Sequence, residues 1–220
     1  MRAVLCSLFP LLAAVVISST IFTCVMLSER GGKPITKDSI SSYGEWPGAK
    51  YFIFSVGFII GSILLAASAF ARHRIILLTA SSLSSLSCMA KVGKMAVYQC
   101  LVMGMAQILP TIIMAFTNGI RQEVHIAFAV IAWGLTVGYV CESALLLMLF
   151  KRRILLMPMI SIFFAMLSIS LLSCWIATSE DLFEWIGILF ILLVFLIHSI
   201  EIYMGAREYE EYKQAQNKIY

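Results

Sequence analysis

Six long apolar runs leave this chain few folds to choose from. They cover about residues 3–27, 51–71, 95–117, 124–150, 154–177 and 182–205. Roughly 20 consecutive apolar residues span the hydrocarbon core of a bilayer as a helix, and each run reaches that length. Lipid offers no hydrogen-bond partner to the backbone, so each run must satisfy its own N–H and C=O groups, as a helix does. Only 13% of the residues are charged and 61% are apolar, against roughly 25% charged in soluble domains. The expected fold is therefore all-α: a polytopic membrane protein with one six-helix domain over residues 1–220, a loop over 28–50 and a polar tail over 206–220.

Two boundaries need argument. Arg2 followed by an apolar stretch imitates a signal peptide. The apolar core of a cleavable signal is only about 7–15 residues, so the first run reads as a retained signal-anchor helix. Residues 75–90 carry the serine-rich stretch Ser81–Ser87 and are closed by Lys91 and Lys94. They read as a loop or an interfacial helix. The competing assignment is a seventh span, which would invert everything after it. Pro110 is expected to kink the third span.

The charges give the orientation. With six spans and the start of the chain in the cytosol, the cytosolic side carries Arg2, Arg72, Arg74, Lys91, Lys94, Lys151, Arg152, Arg153, Arg207, Lys213 and Lys218. The other side carries Arg30, Lys33, Lys37, Lys50 and Arg121. That is eleven against five, and together they are all 16 Lys and Arg. Positive loops stay inside, so both termini are expected in the cytosol and loop 28–50 in the lumen or outside the cell. These charges fix topology; Arg72, Arg74 and Lys151-Arg152-Arg153 could also meet anionic lipid. They are not interleaved with aromatics, so nucleic acid is not an expected partner. The six cysteines lie mostly within the apolar runs with no CxxC pair. They read as small packing residues rather than as disulfides or a metal site, with Cys6 a weak candidate for palmitoylation.

An ionisable residue inside a span costs about 2.5–3.5 kcal/mol on insertion scales and needs a partner or a purpose. His125 opens the fourth run and Glu184 the sixth, so both are expected at the luminal boundary as a polar pocket. Glu142 and His198 lie roughly 10–12 Å from the cytosolic ends of the same two runs at ~1.5 Å per residue. They form a candidate intramembrane pair, while Glu201, one turn on, could reach the cytosolic interface. A buried Glu/His pair can equally serve as a structural hydrogen bond between helices. One His and one Glu are too few for a catalytic zinc site, and there is no GxSxG, HExxH or P-loop. No catalytic residue, metal or cofactor is expected.

The stretch before the second run, Ile40-Ser41-Ser42-Tyr43-Gly44-Glu45-Trp46-Pro47-Gly48-Ala49-Lys50, reads as an ordered turn. Gly44 permits unusual backbone angles and Pro47 fixes its own. Trp46 and Lys50 beside an apolar run have the character of interface anchors.

Ile40-Ser41-x-x-Gly44-x-x-Pro47-x-x-Lys50 running into a helix resembles the first-loop motif of the DRAM family, the damage-regulated autophagy modulators. Glu123-Val124-His125-Ile126-Ala127-Phe128-Ala129 resembles the His-containing start of that family's fourth span, and Glu184-Trp185 the Glu-aromatic pair opening its sixth. The chain departs from the loop pattern at Ser42, Gly48 and Ala49, where the family has an acidic residue, a second proline and Glu. The superfamily also holds Sfk-type regulators of phosphatidylinositol 4-kinase and a Golgi factor for lipid remodelling of GPI-anchored proteins. The resemblance implies six spans, cytosolic termini and a non-enzymatic regulator of membrane traffic, autophagy or phosphoinositide and lipid homeostasis. Its partners would be membrane lipids and proteins met at the cytosolic loops, in the lysosome, Golgi, endoplasmic reticulum or plasma membrane. The alternatives are GPI-anchor remodelling and, less favoured for want of an inverted repeat, a proton-coupled transporter using Glu142 and His198.

Overall fold

The computed structural model describes residues 2–28, 38–81, 87–150 and 156–217. Lys151-Arg152-Arg153, Arg30, Lys33, Lys37, Lys218 and the middle of the serine-rich stretch lie outside the described residues. Among those described, the helices are α1 (Arg2–Met26), α2 (Ala49–Ser81), α3 (Ser87–Ala106), α4 (Ile108–Thr117), α5 (Gln122–Phe150), α6 (Leu156–Thr178) and α7 (Asp181–Asn217), with a 3-10 turn at Ser42–Gly44. Six stretches are long and apolar enough to cross a membrane: Leu5–Met26, Ala49–Leu77, Met95–Thr117, Gln122–Leu149, Leu156–Thr178 and Asp181–Arg207. α1 packs along α2 and α7, α6 along α5 and α7, and α4 along α5 and α2.

Residues 75–81 are neither a loop nor a separate helix. They continue α2, and Ser87–Ala90 already belong to α3. Arg72-His73-Arg74 do not end the span because two of the three side chains turn into the protein. Arg72 and His73 are buried, and Ile76 beyond them is in the core. Arg72 is thus unavailable to lipid phosphate. Arg74 is exposed and lies over the Phe70 ring at 5.4 Å.

The third span breaks at Gln107, between α3 and α4, rather than at Pro110 itself. A proline has no N–H for the carbonyl four residues before it, here Ala106, and its ring crowds that carbonyl. The interruption therefore appears one turn upstream. Gln107 uses the break: its side-chain Nε2 donates to Ser62 O at 2.8 Å, tying the third span to α2.

α1 and α2 approach closely at two glycines. A Cβ on Gly57 would stand 1.8 Å from Thr20 Oγ1 and 2.7 Å from Thr20 Cβ, and one on Gly61 would stand 2.7 Å from Ile17 Cγ1. Small residues allow this contact between membrane helices. The contact with Thr20 Cβ cannot be relieved by rotating the threonine, so Gly57→Ala should destabilise by about 1–3 kcal/mol, as overpacking does. Thermal unfolding of the purified protein reads this as a lower Tm. Gly134, where an added Cβ meets nothing within 4 Å, should accept Ala without a loss.

Among the described residues Cys6, Cys24, Cys100, Cys141 and Cys174 are free thiols, with Cys24 and Cys100 buried.

Candidate functional site

The Ile40–Lys50 stretch folds back onto one end of the bundle and closes it. Ile40, Ser41 and Tyr43 are buried. Glu184, in the first turn of α7, accepts the Ile40 N–H on Oε2 at 2.8 Å. Trp185 Nε1 donates to Asp38 O at 3.1 Å, and its ring meets Tyr43 edge-on at 6.1 Å. From the other side Asn118 Nδ2, at the end of α4, donates to Ser41 O at 2.8 Å. Gly44 lets the turn lie against Phe54, whose ring a Cβ would meet at 2.3 Å. The Trp46–Pro47 peptide is cis, and Gly48 follows at φ +134°. Trp46 is half exposed and packs edge-on against buried Tyr51 and exposed Phe52. Lys50 Nζ donates to Ser28 Oγ at 3.3 Å, joining the start of α2 to the end of α1.

Beneath this plug lies a cavity of about 120 Å³. His125 and Glu184, from separate helices, both line it, together with Ser41 at the plug end and Leu65, Thr136 and Phe195 deeper down. Both ionisable side chains are more than nine-tenths buried. They are not bonded to each other: His125 Nδ1 bonds Met114 O at 2.8 Å, whereas Glu184 holds the plug. Ser62, Gln107, Thr111 and Thr136 add polar groups to a wall that is otherwise mostly apolar. Glu184 and Phe195 are about 16 Å apart along α7 at ~1.5 Å per residue, so the cavity is long and narrow.

The second expected pair does not form. His198 is held by Tyr139 Oη at 3.0 Å from Nε2, and Arg72 Nη1 lies against its ring. Glu201 Oε2 stands 2.6 Å from Arg72 Nη1, a charge contact without hydrogen-bond alignment. Glu142 turns elsewhere, and its Oε2 is buried without a partner. The inner polar cluster is therefore Arg72, His198, Glu201 and Tyr139. Sequence spacing missed Arg72 because it opens the run Arg72-His73-Arg74, and a basic run reads as the end of a span. Glu201 was expected at the interface; instead its side chain is 5% exposed, because Arg72 supplies a counter-charge within the bundle. A small void of about 10 Å³ leads from this cluster, past Tyr139 and His198, towards Gln107 and Phe195 in the wall of the main cavity.

No group of three or more His, Cys, Asp or Glu among the described residues converges as metal ligands would. Three hydroxyls in the cavity wall are turned onto backbone, Ser62 onto Ile59 O, Thr111 onto Gln107 O and Thr136 onto Ala132 O, while Ser41 Oγ pairs with Ser39 Oγ at 3.2 Å. The chain matches no family model, no curated protein and no solved structure.

Proposed function

We propose that this protein is a non-enzymatic, lipid-responsive regulator in a cellular membrane. It would hold part of a lipid's hydrocarbon in the cavity and act on membrane traffic, autophagy or lipid homeostasis, as the resemblance to DRAM-type proteins implies. One observation carries the reading: an apolar cavity inside a six-span bundle, closed at one end by buried Glu184 and His125. Ligand sites are commonly apolar concavities with a few placed polar groups. The plug bonds directly to Glu184, so occupancy at that end bears on the loop that leaves it. The end holding Trp46 faces the lumen or exterior in this reading, and the opposite end faces cytosolic partners.

A binding role ranks ahead of GPI-anchor remodelling for a chemical reason. Among the described residues no wall hydroxyl is hydrogen-bonded to His125; those of Ser62, Thr111 and Thr136 are spent on carbonyls, and that of Ser41 pairs with Ser39 Oγ at 3.2 Å, so none is set up as a nucleophile activated by that histidine. A transporter built on a Glu142–His198 relay lacks the contact it needs.

The test is rescue of cells lacking the gene. Wild-type protein should restore autophagic flux and the distribution of membrane cargo, and Ala132→Phe, which fills the cavity wall, should not at equal protein level. Full rescue by the filled variant would overturn the lipid reading. Altered processing of GPI-anchored proteins, with flux unchanged, would favour the remodelling alternative.

A further inference from the structure

Apart from hydroxyls already hydrogen-bonded, the polar side chains lining the cavity offer acceptors. Met114 O can only accept, so the His125 nitrogen bonded to it, Nδ1, carries the proton. The neutral ring then offers Nε2 as an acceptor. Glu184 presents Oε2 as an acceptor, already facing the Ile40 N–H, and its carboxylate form has no donor. Gln107 spends its donor Nε2 on Ser62 O and keeps Oε1 as an acceptor beside Thr111 at 3.4 Å. No Lys or Arg lines the cavity among the described residues. A phosphate or carboxylate head would find no cation there and would face Glu184. A hydroxyl or ammonium head would find partners.

The volume limits the tail. An engineered apolar cavity of ~150 Å³ takes up benzene, and this cavity, at about 120 Å³, is long and narrow. It has room for no more carbon than benzene, a few methylenes of a single chain.

There is also a route in. A cleft of about 280 Å³ lies between α1 and α7, with Phe22, Val25 and Leu189 in its walls. Phe22 and Leu189 are exposed on surfaces that an apolar span turns to lipid. The cleft and the inner cavity share Ile40, Ile188 and Leu192. Those three aliphatic side chains are the partition between bilayer and cavity, and rotamer changes would open it.

We infer that the cavity takes a single-chain amphiphile whose head donates hydrogen bonds, a hydroxyl or an ammonium, and that it enters sideways from the bilayer between α1 and α7. This rests on the lipid-binding reading above and specifies its ligand. The head sits between Glu184 and His125 with the first few methylenes in the cavity, and the rest of the chain lies towards the bilayer through the cleft between α1 and α7. A bound head would compete with the Ile40 amide for the Glu184 carboxylate, which links occupancy to the plug.

Full-length protein in phospholipid nanodiscs is offered three photoactivatable probes: a long-chain amino alcohol, a monoacylglycerol and a fatty acid. Labelled peptides are then mapped. The amino alcohol should label α5 and α7 around the cavity, and the fatty acid at least roughly tenfold less, or ~1.4 kcal/mol. Labelling by the monoacylglycerol as well would show that a hydroxyl suffices; its failure would assign the site to an ammonium. Glu184→Gln keeps an oxygen for the Ile40 amide and should still weaken the amino alcohol about tenfold. Leu192→Trp, which leaves the polar groups alone, should slow labelling. Equal labelling by the fatty acid, or an unaffected Glu184→Gln variant, would overturn the head assignment and leave lipid binding standing. An unchanged rate in Leu192→Trp would overturn the lateral route. Failure of all three probes to label the cavity would remove the lipid reading itself.

Discussion

Glu201→Ala should destabilise the bundle by about 3–5 kcal/mol. Glu201 and Arg72 stand 2.6 Å apart with side chains 5% and 2% exposed. Two Arg72 nitrogens, Nε and Nη2, already lack partners. Removing the carboxylate leaves a guanidinium buried against His198 with nothing to balance it. Breaking a buried ion pair from one side costs about 3–5 kcal/mol, whereas replacing both partners with apolar groups of similar size is often neutral. The double variant Arg72→Met with Glu201→Leu should therefore regain most of what Glu201→Ala loses. Thermal unfolding in detergent, with monodispersity checked, measures both. A Glu201→Ala protein with a wild-type Tm would mean that the pair does not hold α2 to α7.

Gly119→Val releases the plug. Gly119 has φ +70°, and a Cβ there would stand 2.5 Å from Trp46 N and 3.2 Å from Glu45 Cα. A left-handed conformation costs an ordinary residue roughly 1–2 kcal/mol, and for a β-branched one it is a true outlier. Here backbone also blocks the side chain, and backbone cannot swing aside as a side-chain tip can. Asn118, one residue before, loses its placement on Ser41 O. Gly48 supplies the control. It too has positive φ, but an added Cβ there meets nothing within 4 Å. Gly48→Ala should therefore show the backbone term alone, and Gly119→Val a larger loss with faster proteolysis or hydrogen exchange in residues 38–51. A Gly119→Val protein whose residues 38–51 exchange and cleave as in wild type would show that the Gly119 contact does not seat the plug.

The six apolar helices were legible because hydrocarbon length is written directly in the sequence. Where the reading slipped, the cause was tertiary. Arg72-His73-Arg74 looks like a stop because a basic residue in a span is costly without a counter-charge. Glu201, well over a hundred positions later, supplies one, and nothing local announces it. Ile75–Ser81 then follow as the extension of a helix that had no reason to end. The Gln107 break was one turn off because a proline disturbs the carbonyl behind it. His125 and Glu184 share a cavity, as their matching depth predicted, but the bonds they make, to Met114 O and the Ile40 amide, depend on helix rotation that spacing does not give. The Glu142–His198 pairing failed for the same reason: equal depth on two helices is not facing.

A lipid-responsive role requires that the bundle carry lipid in its interior. Native mass spectrometry of the purified full-length protein answers this. Wild type is predicted to fly with one retained single-chain lipid, and Ala132→Phe, folded and monodisperse, without it. A wild-type protein that sheds all lipid while still folded, or equal retention by the filled variant, would contradict it.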